Sequence, residues 1–208
     1  MTKLSDIPTG ARLFNSRSVD EIKNAGTKLV LTQLPTIQRV SQRLVLCLTA
    51  IFPEHSFYLC DISQAYVQSA TNLNREFYIR PPEELRTELG IQEGTILRVL
   101  KLFYGVPEEG NHWFKIYHRH YTENLGIEQS TYDPCLLQSN KPFGVVGLQT
   151  DDILFLADED FTDRELSELR KAKFIAKELE KLTIDIPIKF NGGIIQLTTD
   201  GIVLIQER

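Results

Sequence analysis

A chain of 208 residues with 42% hydrophobic and 25% charged positions is long enough to bury one substantial core but short for several domains. The formal net charge of -5 argues against binding nucleic acid over the whole surface, because phosphate contacts need an excess of Lys and Arg. No stretch reaches the ~20 apolar residues of a membrane span, and the N-terminus lacks an apolar signal core. The sequence therefore predicts an intracellular protein, cytoplasmic or nuclear, with no membrane partner.

The cysteines do not form a recognisable framework. Cys47, Cys60 and Cys135 lie far apart, without a CxxC pair or a histidine at ligand spacing. Neither a disulfide scaffold nor a zinc site is indicated. We expect all of them to be buried apolar residues.

The first half of the chain is predicted to contain one helix and then several strands. Between Pro35 and Pro53, apolar residues recur at spacings of three and four, which is typical of an amphipathic helix. These residues are Ile37, Val40, Leu44, Leu48 and Ile51. Strands are predicted at Phe57–Asp61, Arg75–Arg80 and Thr95–Lys101 from their apolar and β-branched content.

The second half is predicted to contain two helices and two hairpins. The helices are Glu108–Leu125, ended by Gly126, and Thr162–Leu182, opened by a capping box from Thr162 to Glu165. The hairpins join 143–148 to 153–157 and 194–197 to 202–205. Lys171, Lys173 and Lys177 are interpreted as a solvated helix face. The pattern predicts an α+β fold in which helices pack on one face of an antiparallel sheet.

Two adjacent acids, Asp151 and Asp152, are predicted at the tip of the first hairpin. A tight turn ordinarily uses Asn-Gly or Asp-Gly there, which avoids placing two like charges together. Mg²⁺ would offset the repulsion, since it binds one or two carboxylates together with substrate phosphate oxygens. Two such ions about 3.5–4 Å apart can stabilise both oxygens of a phosphoryl displacement. Asp61, at the end of an apolar strand, is the candidate third ligand, and the alternative is a solvated loop tip.

An ordered series of short motifs resembles the reverse transcriptases of copia-type retrotransposons. Asp61–Gln68 resembles the D-x-x-x-A-[FY] motif of that family, and Tyr132–Leu136 matches its S-D-P-C-L block. The other similar blocks are, in chain order, Arg12-Leu13, Pro35–Arg39, Phe77–Pro82, and Leu102–Pro107 followed by Trp113. An ordered series is far more specific than any single member of it.

The resemblance implies a reverse-transcriptase palm with partial fingers, in one domain over residues 1–208. Residues 1–34 would belong to the fingers and 35–208 to the palm with finger insertions, while thumb, connection and RNase H segments would be absent. The implied activity is that of an RNA-directed DNA polymerase with Mg²⁺ or Mn²⁺ as cofactor. The implied partners are an RNA or DNA template-primer, deoxynucleoside triphosphates, and either other Pol polyprotein segments or a second copy.

The resemblance also implies roles for individual residues. Asp61, Asp151 and Asp152 would be the catalytic metal ligands. Tyr66 would be the gate that excludes a 2′-hydroxyl, with a core aromatic as the alternative. Arg12 would reach the triphosphate as a bidentate guanidinium, with a surface arginine as the alternative.

The chain departs from the family pattern at two places near the implied site. Glu108 replaces a glutamine beside the nucleotide site, so its charge would repel the triphosphate. Gln149 replaces the aromatic residue of the Y-x-D-D turn and, with Thr150, would contact the primer end. A fragment or truncated copy with little activity alone is the resulting expectation.

Two other classes of function remain open on the sequence alone. One is a non-enzymatic interaction module, decayed or domesticated, that keeps only the palm fold. The other is a metal-dependent nuclease that uses the same acids. The nuclease is disfavoured because no histidine or lysine is predicted beside those acids to act as general acid or base.

Overall fold

The computed structural model describes residues 12–15, 35–63, 65–68, 77–100 and 109–206. In chain order the elements are β1 (Arg12–Asn15), α1 (Arg39–Ile51), β2 (Ser56–Asp61), α2 (Ala65–Gln68), β3 (Phe77–Arg80), α3 (Glu83–Leu89), β4 (Leu97–Val99), α4 (Glu109–Arg119), β5 (Glu128–Gln129), β6 (Leu136–Asn140), β7 (Phe143–Gln149), β8 (Asp152–Ala157), α5 (Glu159–Ala172), β9 (Glu180–Lys181), β10 (Ile188–Phe190), β11 (Gly193–Thr198) and β12 (Gly201–Gln206). A π-helical turn, His120–Asn124, continues α4. The predicted α+β class is confirmed.

The core is built on a six-stranded sheet in the order β5-β6-β7-β8-β2-β9. Every neighbouring pair in it is antiparallel. Two smaller sheets, β1-β3-β4 and β10-β11-β12, lie outside it. The predicted hairpins are confirmed, since β7 pairs with β8 and β11 pairs with β12.

Helices cover both faces of the central sheet, so the prediction of helices on one face is wrong. A Cβ atom at Gly144 would collide with the ring of Phe161 in α5, and one at Gly147 would collide with Ile37 just before α1. Residues three apart on a strand point to opposite faces, so α5 and α1 lie on opposite sides. A strand covered on both faces needs an apolar residue at nearly every position, and β8 is buried from Ile153 to Ala157.

Helix α1 buries a different face from the one its apolar periodicity predicts. Its buried residues are Ser41, Val45 and Thr49, whereas Val40 is 74% exposed and Ile51 is 64% exposed. Thr49 can face the core because its hydroxyl finds a backbone partner: Thr49 Oγ1 donates to the Val45 carbonyl oxygen at 2.9 Å. The exposed side also carries Cys47, so the expectation that every cysteine is buried is wrong for this residue.

Helix α5 begins earlier and ends ten residues sooner than predicted, at Ala172 rather than Leu182. Its N-cap is Asp158, whose Oδ1 accepts from the Phe161 N–H at 2.7 Å, so the predicted capping box at Thr162 is wrong. A left-handed Lys173 (φ 59°) ends the helix. The chain then runs back past β2 into β9, so Lys177 does not lie on a helix face.

No helix in the described ranges is long and apolar enough to cross a membrane.

Candidate acidic site at the β2, β7 and β8 strand ends

Asp61 and Asp152 lie directly opposite each other on neighbouring strands. Strand β2 pairs with β8 in antiparallel register, and the last pair at this end of the ladder joins Asp61 to Asp152. The pairing is extended by the Ile62 N–H, which donates to the Asp151 carbonyl oxygen at 3.0 Å. Directly opposed residues in an antiparallel pair have Cβ atoms about 4.5–5.5 Å apart. The structure therefore brings together the acids that the sequence placed at separate strand ends.

Gln149 continues the same row across a third strand. It is the partner of Asp152 in the β7–β8 ladder, and cross-strand partners share a face of the sheet. Its side-chain oxygen Oε1 is buried and has no hydrogen-bond partner among the described residues. An orphaned amide oxygen beside two carboxylates extends the set of oxygen donors on this face.

Thr150 and Asp151 form the turn between these strands. Thr150 is left-handed (φ 58°), a conformation that is unfavourable for a β-branched residue. Its carbonyl oxygen accepts the indole N–H of Trp113 at 3.0 Å, and Trp113 is fully buried on α4. A hydrogen bond from a core residue, Trp113, thus fixes the backbone of the acidic turn.

Lys177 places a cation at this site, and the sequence interpretation did not predict it. Its Nζ atom lies 2.6 Å from Asp61 Oδ2, in an ion pair whose side chains are 62% and 28% exposed, respectively. Hydrogen bonding to Asp61 raises the Lys177 pKa, as does the charge of the same carboxylate. The expectation that no lysine lies beside these acids is therefore wrong.

Burial and like charge shape the protonation of Asp152. Burial raises its pKa from 3.8 to about 6, with further contributions from Asp151 and Asp61, while Lys177 lowers it. Desolvation and neighbouring carboxylates both disfavour the charged form. The charged form of Asp152 is therefore disfavoured in its protein surroundings.

The chemistry of the donors fits a hard divalent cation, which prefers carboxylate and amide oxygens. Asp61, Asp152 and Gln149 supply such oxygens in one row. Within the described part of the chain, however, no three His, Cys, Asp or Glu side chains are close enough together to hold a metal ion. The Asp61 carboxylate is directed to Lys177 instead.

The other residues implied by the resemblance are only partly located. Arg12 belongs to β1, where it pairs with Phe77, and Tyr66 belongs to α2. The structure describes the backbone of these two residues but not their side chains. Glu108 lies outside the described residues. Their implied roles remain predictions.

A buried polar network lies on the opposite side of the central sheet, between α4 and α5. Glu165 is fully buried, its Oε1 accepts from the Tyr121 hydroxyl at 2.7 Å, and its Oε2 lies 3.3 Å from His120 Nε2. Burial, chiefly, and the charge of Glu165 raise the Tyr121 pKa. Because the capping-box interpretation treated Glu165 as a helix-end residue, this network was not predicted.

Comparison with known proteins adds no family assignment. No protein-family profile matches the chain, and no curated protein matches it either.

Proposed function

We propose that this chain is the palm region of a copia-type reverse transcriptase, an RNA-directed DNA polymerase whose metal ligands are Asp61, Asp151 and Asp152. The observation that carries the proposal is the opposition of Asp61 and Asp152 across β2 and β8. Two strand-end carboxylates on a shared face, with a third acid in the adjoining turn, are the type of oxygen donors that bind the Mg²⁺ ions of phosphoryl transfer. The motif series and the strand pairing both include Asp61 and Asp152.

Each residue of the site has a defined task in this proposal. Asp61 and Asp152 would hold Mg²⁺ or Mn²⁺ between strands, and Asp151 would bind from the turn. Bound metal would neutralise charge on the attacking and leaving oxygens of the phosphoryl transfer. The Trp113 hydrogen bond to Thr150 fixes the turn that carries two of the acids. The primer end would contact Gln149 and Thr150, and the template-primer and deoxynucleoside triphosphate would occupy the side of the sheet that carries the acidic row.

Metal binding tests the proposal directly. Purified chain should bind Mn²⁺ as detected by electron paramagnetic resonance, and Asp152→Asn should abolish this binding. Asp185→Asn is the matched control, since Asp185 is exposed and lies outside the site. Primer extension with Mn²⁺ and deoxynucleoside triphosphates then tests activity, with Asp61→Asn as the negative control. Mn²⁺ binding that persists in Asp152→Asn would contradict the site.

A non-enzymatic module is the second candidate, and the Asp61–Lys177 ion pair favours it. A site whose first carboxylate already has an internal cation is electrostatically closer to satisfied without metal. In that case the chain would bind no Mn²⁺ and extend no primer, yet fold to the same structure. The metal titration separates the two candidates before any activity is assayed.

A further inference from the structure

The backbone, and not the lysine side chain alone, sets the position of Lys177. The Lys177 N–H donates to the Asp61 carbonyl oxygen at 2.8 Å, and the Ser63 N–H donates to the Ile175 carbonyl oxygen at 2.9 Å. Ile62 and Ala176 form an antiparallel bridge between these bonds. Residues 175–177 therefore run alongside the end of β2 as a short, registered strand segment.

Side-chain contacts fix the same segment a second time. The Gln68 amide brackets residue 175: its Oε1 accepts from the Ile175 N–H at 2.7 Å, and its Nε2 donates to the Ile175 carbonyl oxygen at 3.0 Å. The same Nε2 also donates to the Ser63 carbonyl oxygen. Because backbone and side-chain hydrogen bonds hold Ile175 in place, the fold positions Lys177, two residues later, beside Asp61.

An ammonium at this position excludes metal from one side of Asp61. Lysine has three donors and no acceptor, so it cannot itself ligate a cation. Its Nζ atom donates a hydrogen bond to Asp61 Oδ2 at 2.6 Å. A divalent cation that approaches the same oxygen is therefore repelled by the positive charge of the ammonium. The ammonium therefore takes one acceptor position of this carboxylate and opposes, by its charge, a metal that would bind there.

We propose that Lys177 is an internal counter-ion that competes with the divalent metal for Asp61 and thereby sets the metal affinity of the site. This inference rests on the proposed function, because it presumes that the acidic row binds metal. With metal absent, Lys177 holds Asp61 and limits the repulsion between Asp61 and Asp152. Metal binding displaces the ammonium, which is free to move because its side chain is 62% exposed.

The competition predicts a stronger site when the lysine charge is removed. Lys177→Met keeps most of the aliphatic stem and deletes the ammonium. We expect its Mn²⁺ dissociation constant to fall by about twofold to fivefold, since an exposed ion pair of this kind contributes only modestly and its loss is correspondingly modest. Lys177→Arg retains a cation and should keep the affinity near that of the wild type.

The experiment is a Mn²⁺ titration of the full 208-residue chain, followed by electron paramagnetic resonance, for wild type, Lys177→Met, Lys177→Arg and Lys171→Met. Lys171 is a matched control because it makes a 2.6 Å ion pair with Glu168 and is 68% exposed, but lies on α5 away from the acids. Lys171→Met should leave the affinity unchanged. The thermal shift produced by saturating Mn²⁺ provides a second readout and should be larger for Lys177→Met than for wild type.

The outcomes separate this inference from the function on which it rests. Tighter binding by Lys177→Met, with Lys177→Arg and Lys171→Met unchanged, supports the competition. Metal binding by wild type that Lys177→Met leaves equal or weakens overturns the competition while the metal site stands. Absence of Mn²⁺ binding in every variant overturns the metal site and the competition together.

Discussion

Trp113 donates its indole N–H to the carbonyl oxygen of Thr150 at 3.0 Å, and Thr150 is the left-handed residue of the acidic turn. A fully buried side chain on α4 thus holds a strained backbone segment between two strands that end in the candidate ligands. Strain of this kind persists where surrounding contacts over-determine the conformation. The strained conformation of Thr150 therefore lowers the stability of the fold, and it also sets the position of Asp151 and Asp152.

Replacing the strained residue should stabilise the protein. Thr150→Asn keeps the backbone carbonyl that Trp113 binds, and asparagine accepts a left-handed conformation more readily than a β-branched residue does. We expect the free energy of unfolding, measured by urea titration, to rise by about 1 kcal/mol. Thr199→Asn is the control, because Thr199 is exposed in a turn and is not left-handed. A loss of stability in Thr150→Asn would show that the threonine conformation is not a strain.

Removing the Asp152 carboxylate charge should also stabilise the folded chain near neutral pH. Burial raises the pKa of Asp152 to about 6 in the folded protein, so the folded state binds this proton more tightly than the unfolded state does. Its stabilising contribution is present at low pH and is lost as the pH rises from about 4 to about 6. Asp152→Asn removes that loss.

We expect the free energy of unfolding of Asp152→Asn to exceed that of wild type at pH 7 by about 1 kcal/mol, because solvent screens part of the cost of the charged carboxylate. The difference should disappear at pH 4. Unfolding in urea at several pH values measures it, with Asp185→Asn as the exposed control. A constant difference across that pH range would mean that Asp152 does not titrate as described.

The network around Glu165 should be costly to break. Glu165→Ala leaves the buried Tyr121 hydroxyl and His120 ring without their shared acceptor, and unsatisfied buried groups cost most when one partner alone is removed. We expect a loss of about 3 kcal/mol in the free energy of unfolding. Glu168→Ala, one turn later on α5 and in an ion pair with the exposed Lys171, should cost much less, because exposed ion pairs contribute little to stability. Equal losses in the two variants would contradict a structural role for the network.

The three cysteines should differ sharply in reactivity. Burial raises the pKa of Cys60 and of Cys135 to about 12, so neither forms thiolate near neutral pH, whereas Cys47 is exposed. Because the thiolate is the reactive species, a thiol-specific reagent should modify one cysteine quickly in the folded chain and all three in denaturant. Cys47→Ser should remove the fast phase. Rapid modification that remains in this variant would show that a buried thiol is accessible.

Local patterns were sufficient where one strand or turn carried its own signal. The apolar runs around Asp151-Asp152 predicted the β7–β8 hairpin, and the apolar strand before Asp61 predicted β2, because strand ends and tight turns are specified by neighbouring residues. The meeting of these acids followed from the same reasoning, since two strands that belong to one sheet can bring their ends together. The candidate ligands were thus accessible from sequence.

Periodicity failed where two faces of an element competed for the core. Helix α1 has an apolar row through Val40 and Ile51. The residues that it buries, however, are Val45 and the small residues Ser41 and Thr49. The spacing of apolar residues reports that a helix is amphipathic, but the neighbouring layers decide which side is buried. The sequence of α1 alone therefore does not show which of its two faces is buried.

The sequence by itself determined that acids end the strands β2 and β7–β8, while the tertiary structure decided what surrounds them. Lys177 reaches Asp61 because α5 stops at Ala172 and the following segment pairs with the end of β2. Gln149 joins the row because β7 and β8 pair in one register. The Lys177 contact and the joining of this hairpin row to Asp61 both depend on backbone pairing with β2, which is distant along the chain, and such pairing leaves no periodic signal at either partner alone.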